Sequence, residues 1–173
     1  MNVEAPARRL AATATQALRA VASPEDAPAM ARYMKTEMPF LGVKSPARKV
    51  VRRDLTARFP VSDHATYHHT TSSLWALPHR EEKYLAIAWA RRWKTFVVPA
   101  SMHLYQRFVV EGAWWDFVDE VAAHLVGTVL LDHRDALRQY ARTDPATVRT
   151  FVLDHRDAWS DLTFRETTKH IEV

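Results

Sequence analysis

Trp114, Trp115, Asp116 and Asp119 are the densest concentration of chemistry in this 173-residue chain. Two indoles and two carboxylates fall directly after Gly112, at the head of the apolar run Val118, Val121, Ala122, Leu125 and Val126. That run steps by three and four, which predicts one buried face of a helix over about 114–127. Trp115 and Asp119 are four residues apart, so on a helix they share a side, one turn over the other. An indole face beside a carboxylate can hold a flat or cationic group and aim negative charge at it. The same residues also suit a plain helix start, with Asp116 as N-cap, Asp119 favouring the helix dipole and both indoles packed in a core. Residue types alone leave both open.

A second concentration lies upstream. Ser45-Pro46 predicts a helix start, with Ser45 as N-cap and proline at the first helical position. Free N–H groups at that start, flanked by Lys44 and Arg48, form a place where phosphate could sit. Tyr33 is suited to a nucleic-acid backbone contact, although a tyrosine at helical spacing is more often a core residue. His64 and His68 stand at a spacing zinc can use, beside Asp63 and His69, but neither a HExxH glutamate nor a cysteine accompanies them, so no metal is expected. The chain carries no Walker A loop, GxGxxG or GxSxG, which leaves nucleotide-binding and serine-hydrolase chemistry without support.

The elements that must position these residues read as helices. There are three glycines and no cysteine, nearly half the residues are apolar, and periods near 3.6 recur along the chain. All-α architecture in a single domain of residues 1–173 follows, without disulfides or thiolate chemistry, as fits a reducing cytoplasm. Residues 5–21 predict an amphipathic helix with Leu10, Ala14, Ala17, Leu18 and Val21 on one face, likelier than the transit peptide that its arginines faintly suggest. A short helix follows from Met30 to Lys35, then an apolar loop over 38–43. Further helices are predicted from Ser45 to Pro60, from Ser62/Asp63 to Trp75, from His79 to Trp93, and from Pro99 to Val110 with Gly112 as stop. Beyond the Trp/Asp helix come Ala136–Arg142, Asp144–His155 and a last helix opened by the Thr163/Glu166 capping box. Short helices with tight breaks predict antiparallel pairs stacked as an α-solenoid. No apolar run approaches the roughly 18 residues of a membrane span.

Charge is placed unevenly. Residues 1–60 hold eleven Lys/Arg against five Asp/Glu, and the remainder thirteen against fifteen. A basic half of about 1–60 predicts a polyanion-facing surface, and solubility alone would also account for it. The hexapeptide Leu-Asp-His-Arg-Asp-Ala occurs at 131–136 and again at 153–158. That separation is too short for a helical-pair repeat of roughly 33–47 residues.

Taken together, several segments resemble the DNA alkylation repair (AlkD-type) DNA glycosylase family. They are Met30-Ala31-Arg32-Tyr33-Met34-Lys35, Pro39-Phe40-Leu41-Gly42-Val43-Lys44-Ser45-Pro46, Leu74-Trp75 through Arg80-Glu81, Trp114-Trp115-Asp116 with Val118-Asp119, Ala136 through Pro145, and Arg165-Glu166 with Lys169-His170. The resemblance implies a HEAT-like α-solenoid whose basic face cradles duplex DNA containing alkylated purines. It implies hydrolysis of the N-glycosidic bond of N3- or N7-alkylated purines, with no cofactor and no obligate protein partner, in the cytoplasm on nucleoid DNA. Carried over by motif, Asp119 would be the catalytic carboxylate and Trp115 the indole packed on the lesion, with Tyr33, Lys44, Ser45, Arg48 and Trp114 contacting DNA. The chain departs from the family pattern in lacking a Trp-x-x-Arg segment with further helices, and Asp135 stands where the family has a second functional tryptophan. The join falls at about 132–136, inside the repeated hexapeptide, as an internal deletion would place it. A shortened solenoid with impaired excision is therefore expected; a catalytically inactive DNA-binding relative and a protein-binding scaffold are the alternatives.

Overall fold

The computed structural model describes residues 4–132. Expectations for Ala136–Arg142, Asp144–His155, the Thr163/Glu166 cap and, apart from Leu131 and Asp132 at its edge, the deletion join lie outside the described residues. The chain divides into a unit ending at Thr128 and a second beginning at Val129, and the architecture below is that of the first.

Within it the fold is all-helical and solenoid-like. Its helices are α1 (Glu4–Ala20), α2 (Ala27–Met34), α3 (Ser45–Arg58), α4 (His64–Trp75), α5 (Arg80–Arg92), α6 (Met102–Gly112) and α7 (Trp115–Val121). Two single 3₁₀ turns, Lys94–Phe96 and Pro99–Ser101, link α5 to α6, and a π turn over Ala122–Val126 follows α7; α8 (Gly127–Asp132) begins in this unit and ends beyond it. Ala7, Leu10, Ala14 and Leu18 recur by threes and fours along α1 and are buried, packing the helix on α4. Val21, assigned to that face from the sequence, lies past the helix end and is exposed. The tight link through Pro78 folds α5 back against α4, where Trp75, Leu85 and Trp89 are fully buried. Each such side chain contributes about 1.5–3 kcal/mol through removal from water.

Several polar contacts lock this core. Asp63 caps α4, accepting the Thr66 backbone N–H at 2.7 Å. The hydroxyls of Tyr67 and Tyr105 bond at 2.8 Å, joining α4 to α6 in the interior. The Trp75 indole N–H donates to Glu111 at 2.6 Å and its ring packs on Phe108 and Phe117.

Helix α5 touches α1, α3, α4 and α7, and its first turn ties it to α1, to the loop before α3 and to α7. Arg80, Glu81 and Glu82 are all buried. Burying ions costs several kcal/mol each unless they are partnered, and each of these is. Glu82 accepts the Thr15 hydroxyl of α1 at 2.8 Å and the His79 backbone N–H at 2.8 Å. Glu81 accepts three successive backbone N–H groups, from Leu41 (3.0 Å), Gly42 (2.8 Å) and Val43 (2.9 Å), and so fixes the loop that leads into α3. Gly42 is required there: its φ is +81°, and a Cβ would lie 1.9 Å from the Ser23 carbonyl oxygen. Arg80 reaches across to α7, as described below.

Three local expectations are corrected. Lys44, not Ser45, is the N-cap of α3, and no side chain caps it; Ser45 and Pro46 are its first two residues. The left-handed stop after α6 is Ala113 (φ 40°), not Gly112. Gly112 is instead a contact point, since a Cβ there would lie 2.9 Å from the Phe117 ring. The Trp/Asp helix is not one regular helix over 114–127, because the π turn shifts its register after Val121.

Candidate functional site

An open groove of about 1240 Å³ runs between α3, α5 and α7. Six cations line it: Arg48, Lys49 and Arg52 from α3, Arg91 and Arg92 from the end of α5, and Lys94 just beyond. Three carboxylates face them from α7, namely Asp116, Asp119 and Glu120. Two of these are already engaged. Asp116 pairs with Arg80 at 2.6 Å, and Glu120 pairs with Arg91 at 3.5 Å and lies 3.9 Å from His124. Asp119 is exposed, and its carboxylate makes no hydrogen bond or ion pair among the described residues. Lys49, Arg52, Arg92 and Lys94 likewise carry no anionic partner among the described residues, so the groove presents unspent positive charge around one unspent carboxylate.

Burial on the far side of α7 aims Asp119 into this groove. Phe117 and Val121 are fully buried, four residues apart, and therefore form the inward face of α7. Trp115 and Asp119 occupy the opposite face, together, as their spacing predicts. Trp115 is 59% exposed and stacks on no other ring among the described residues, which for the largest apolar side chain is informative. The core alternative therefore fails for Trp115. It also fails in detail for Asp116, which does not cap the helix; Trp114, in extended conformation, occupies that position.

Asp116 is instead the centre of a buried polar cluster. The Arg80 guanidinium donates to its Oδ1 and also to the Tyr84 hydroxyl at 2.9 Å, while Tyr84 donates to Oδ2. The Arg80 guanidinium lies 4.3 Å from the centre of the Phe117 ring. Burial, followed by the bond to Asp116, pushes the Tyr84 hydroxyl up to about 12, so it remains a donor at neutral pH. The Tyr84 ring also carries the Arg48 guanidinium, 4.4 Å from its centre.

The residues singled out from the sequence are thus distributed unevenly. Ser45, Arg48, Trp115 and Asp119 line one groove. Tyr33 is 80% exposed and lines an adjoining depression of about 370 Å³, which shares Arg48 and Tyr84 with the groove. Lys44 is turned to Asp26, at 2.8 Å, rather than left free beside the start of α3. Arg48 is half-buried and held by the Val43 carbonyl and Tyr84. Trp114 is half-buried, with its indole N–H enclosed and unpartnered among the described residues, and does not line the groove. His64 bonds Ser101 at 2.9 Å. Sequence reasoning missed the α5 wall (Arg91, Arg92, Lys94) and gave no role to Arg80, Glu81 or Tyr84. One signal was present: Glu81 heads the buried stripe Glu81, Leu85, Trp89, and a charge at the head of an apolar stripe must find a partner inside.

A solenoid-like all-α protein with a cation-lined groove and a free carboxylate beside an exposed indole is the class this fold and site define. Residues 14–137 match the family model described as DNA alkylation repair enzyme, and the chain belongs to that family. A role in DNA alkylation repair, with DNA as substrate, follows from that membership. No curated protein matches the chain.

Proposed function

We propose that the protein is a DNA glycosylase that releases N3- or N7-alkylated purines from duplex DNA by hydrolysing the N-glycosidic bond. The observation that carries this is Asp119, unpaired and exposed beside Trp115 in a groove whose other free charges are cations. The cations of α3 and α5 suit phosphates on the duplex backbone. The carboxylate suits the one part of this substrate that becomes positive.

An N-alkylated purine is already cationic and needs no general acid to leave. As the C1′–N bond breaks, its electron pair returns to the purine, which departs neutral, and positive charge develops on the sugar. Asp119 stabilises that charge, and water adds at C1′ and gives its proton to the carboxylate or to solvent. A carboxylate about 4 Å from the sugar contributes about 1 kcal/mol in bulk water and about 4 kcal/mol at the effective dielectric of a DNA-covered surface. The Trp115 face adds about 0.5–2 kcal/mol of attraction for the cationic purine.

The test is incubation of the protein with duplex containing 7-methylguanine, with chromatography of the released product. Free 7-methylguanine together with an abasic strand supports the proposal; intact lesion DNA at saturating protein contradicts it. A second reading, a DNA-binding relative without excision, draws on Asp135 at the position of the family's second tryptophan. Tight duplex binding with no base release would favour it.

A further inference from the structure

Helix α7 opens without a side-chain cap and its register shifts at once in the π turn that follows, so its hydrogen bonds alone do not fix how its first turns lie. Its direction must come from what it is anchored to. Burial of Phe117 and Val121 fixes which side faces inward but leaves tilt, sliding along the axis and fine rotation to be set by polar contacts. The only ion pair joining α5 to α7 within the core, among the described residues, is that of Arg80 with Asp116, and Tyr84 closes it into a ring of three. Asp116 itself lines the groove, three residues from Asp119 and next to Trp115.

We infer that Arg80 and Tyr84 are positioning residues which, through Asp116, aim Trp115 and Asp119 into the groove and withhold the Asp116 carboxylate from the substrate. This rests on the excision reading and names the parts that set its geometry. The Asp116 carboxylate accepts from Arg80 and from the Phe117 backbone N–H at Oδ1 and from Tyr84 at Oδ2, so it competes poorly with Asp119 for a cationic purine or for the developing charge on the sugar. The buried guanidinium neutralises it, leaving Asp119 as the free anion of that wall. Tyr84 is also the residue on which Arg48 stacks at 4.4 Å, so the α3 wall and the α7 wall are registered on the same ring.

Tyr84→Phe removes the hydroxyl while keeping the ring contacts to Phe117 and Arg48, so the variant should fold. Three quantities are read for wild type, Tyr84→Phe, Asp116→Asn and the double variant: single-turnover release of 7-methylguanine at saturating protein, duplex Kd, and the 19F resonance of Trp115 in 5-fluorotryptophan protein, assigned with Trp115→Phe. Tyr84→Phe is expected to slow release by about ten- to a hundredfold, the range of a small misplacement. Kd should stay within about twofold. The Trp115 resonance should move, and the loss should largely vanish in the Asp116→Asn background, because both changes cut one path. A release rate within about twofold of wild type, or losses that multiply in the double variant, would overturn the inference. Should wild type release no base, the excision reading fails by itself. The fluorine arm then decides alone: a displaced Trp115 resonance in Tyr84→Phe sustains the positioning role, and an unmoved one removes it.

Discussion

Replacing Glu81 by alanine should destabilise the fold more than any other single change in the groove's supports. Its carboxylate accepts the backbone N–H groups of Leu41, Gly42 and Val43 at 3.0, 2.8 and 2.9 Å, and the side chain is fully buried. Removal leaves three donors facing one another without an acceptor, two of them in the interior. Each buried unsatisfied donor costs about 1–3 kcal/mol, and relief from burying the carboxylate offsets part of the sum, so a net loss of about 3–5 kcal/mol is expected. For a domain of ordinary stability, about 5–15 kcal/mol, that is a large share. Glu81→Gln separates the causes. Its amide oxygen can replace Oε1, which serves Gly42 and Val43, but its NH2 then points at the Leu41 N–H, donor against donor. A loss of about 1–3 kcal/mol is expected. Urea unfolding gives both values, and hydrogen exchange at residues 41–43 should quicken in the same order. An alanine variant within about 1 kcal/mol of wild type, or a glutamine variant worse than alanine, would refute this account of the loop.

Three further outcomes are expected. Gly42→Ala should cost about 2–5 kcal/mol in urea unfolding, since it combines a left-handed backbone (φ +81°) with a Cβ 1.9 Å from the Ser23 carbonyl; a neutral change would show that the loop can be redrawn. Duplex binding should weaken with salt at a log–log slope of about −3 to −4, about 0.9 for each of Lys49, Arg52, Arg92 and Lys94, and Arg52→Glu should reduce the slope by about one; fluorescence anisotropy across a salt series reads both, and a flat dependence contradicts the groove's assignment. At alkaline pH the Tyr84 contribution has a definite sign: its folded value is raised to about 12 from an ordinary value of 10, so its stabilisation is complete below about pH 10 and is lost as pH rises through 12. Thermal melts should therefore fall less steeply over that window in Tyr84→Phe, with a residual slope from Tyr67 and Tyr105, which burial also pushes up.

The sequence made the helices legible wherever one face is apolar over several turns. Leu10, Ala14 and Leu18 on α1 and Leu85 and Trp89 on α5 are buried as their spacing requires. Proline and the capping aspartate marked the breaks, with Asp63 capping α4 as expected of an acidic residue before a helix. The pairing of Trp115 with Asp119 was legible for the same reason, because it depends on spacing within one helix. Contacts between distant segments were not. Arg80 and Asp116 are 36 residues apart, and Glu81 meets its amides across 38 to 40 residues, so no local pattern announces them. Terminal details were also hidden, because caps depend on backbone dihedrals that residue type only biases. Ser45 illustrates this: it has the residue type of an N-cap, but the Glu81 clamp sets the loop so that Lys44 takes that place. Lys44 in turn looked free to meet phosphate only because Asp26, 18 positions earlier, could not be seen folding back onto it.

The most direct test of the account is single-turnover release of 7-methylguanine by wild type and Asp119→Asn, at saturating protein and with duplex Kd measured for both. The substitution is isosteric and exposed, and it removes the one free negative charge that α7 presents to the groove. The melting temperature should be unchanged, duplex Kd equal or slightly tighter, and release slowed by at least tenfold and up to about a thousandfold, the equivalent of about 1–4 kcal/mol. Release by Asp119→Asn at the wild-type rate would contradict this, because the stabilising charge would then have to come from elsewhere than this carboxylate.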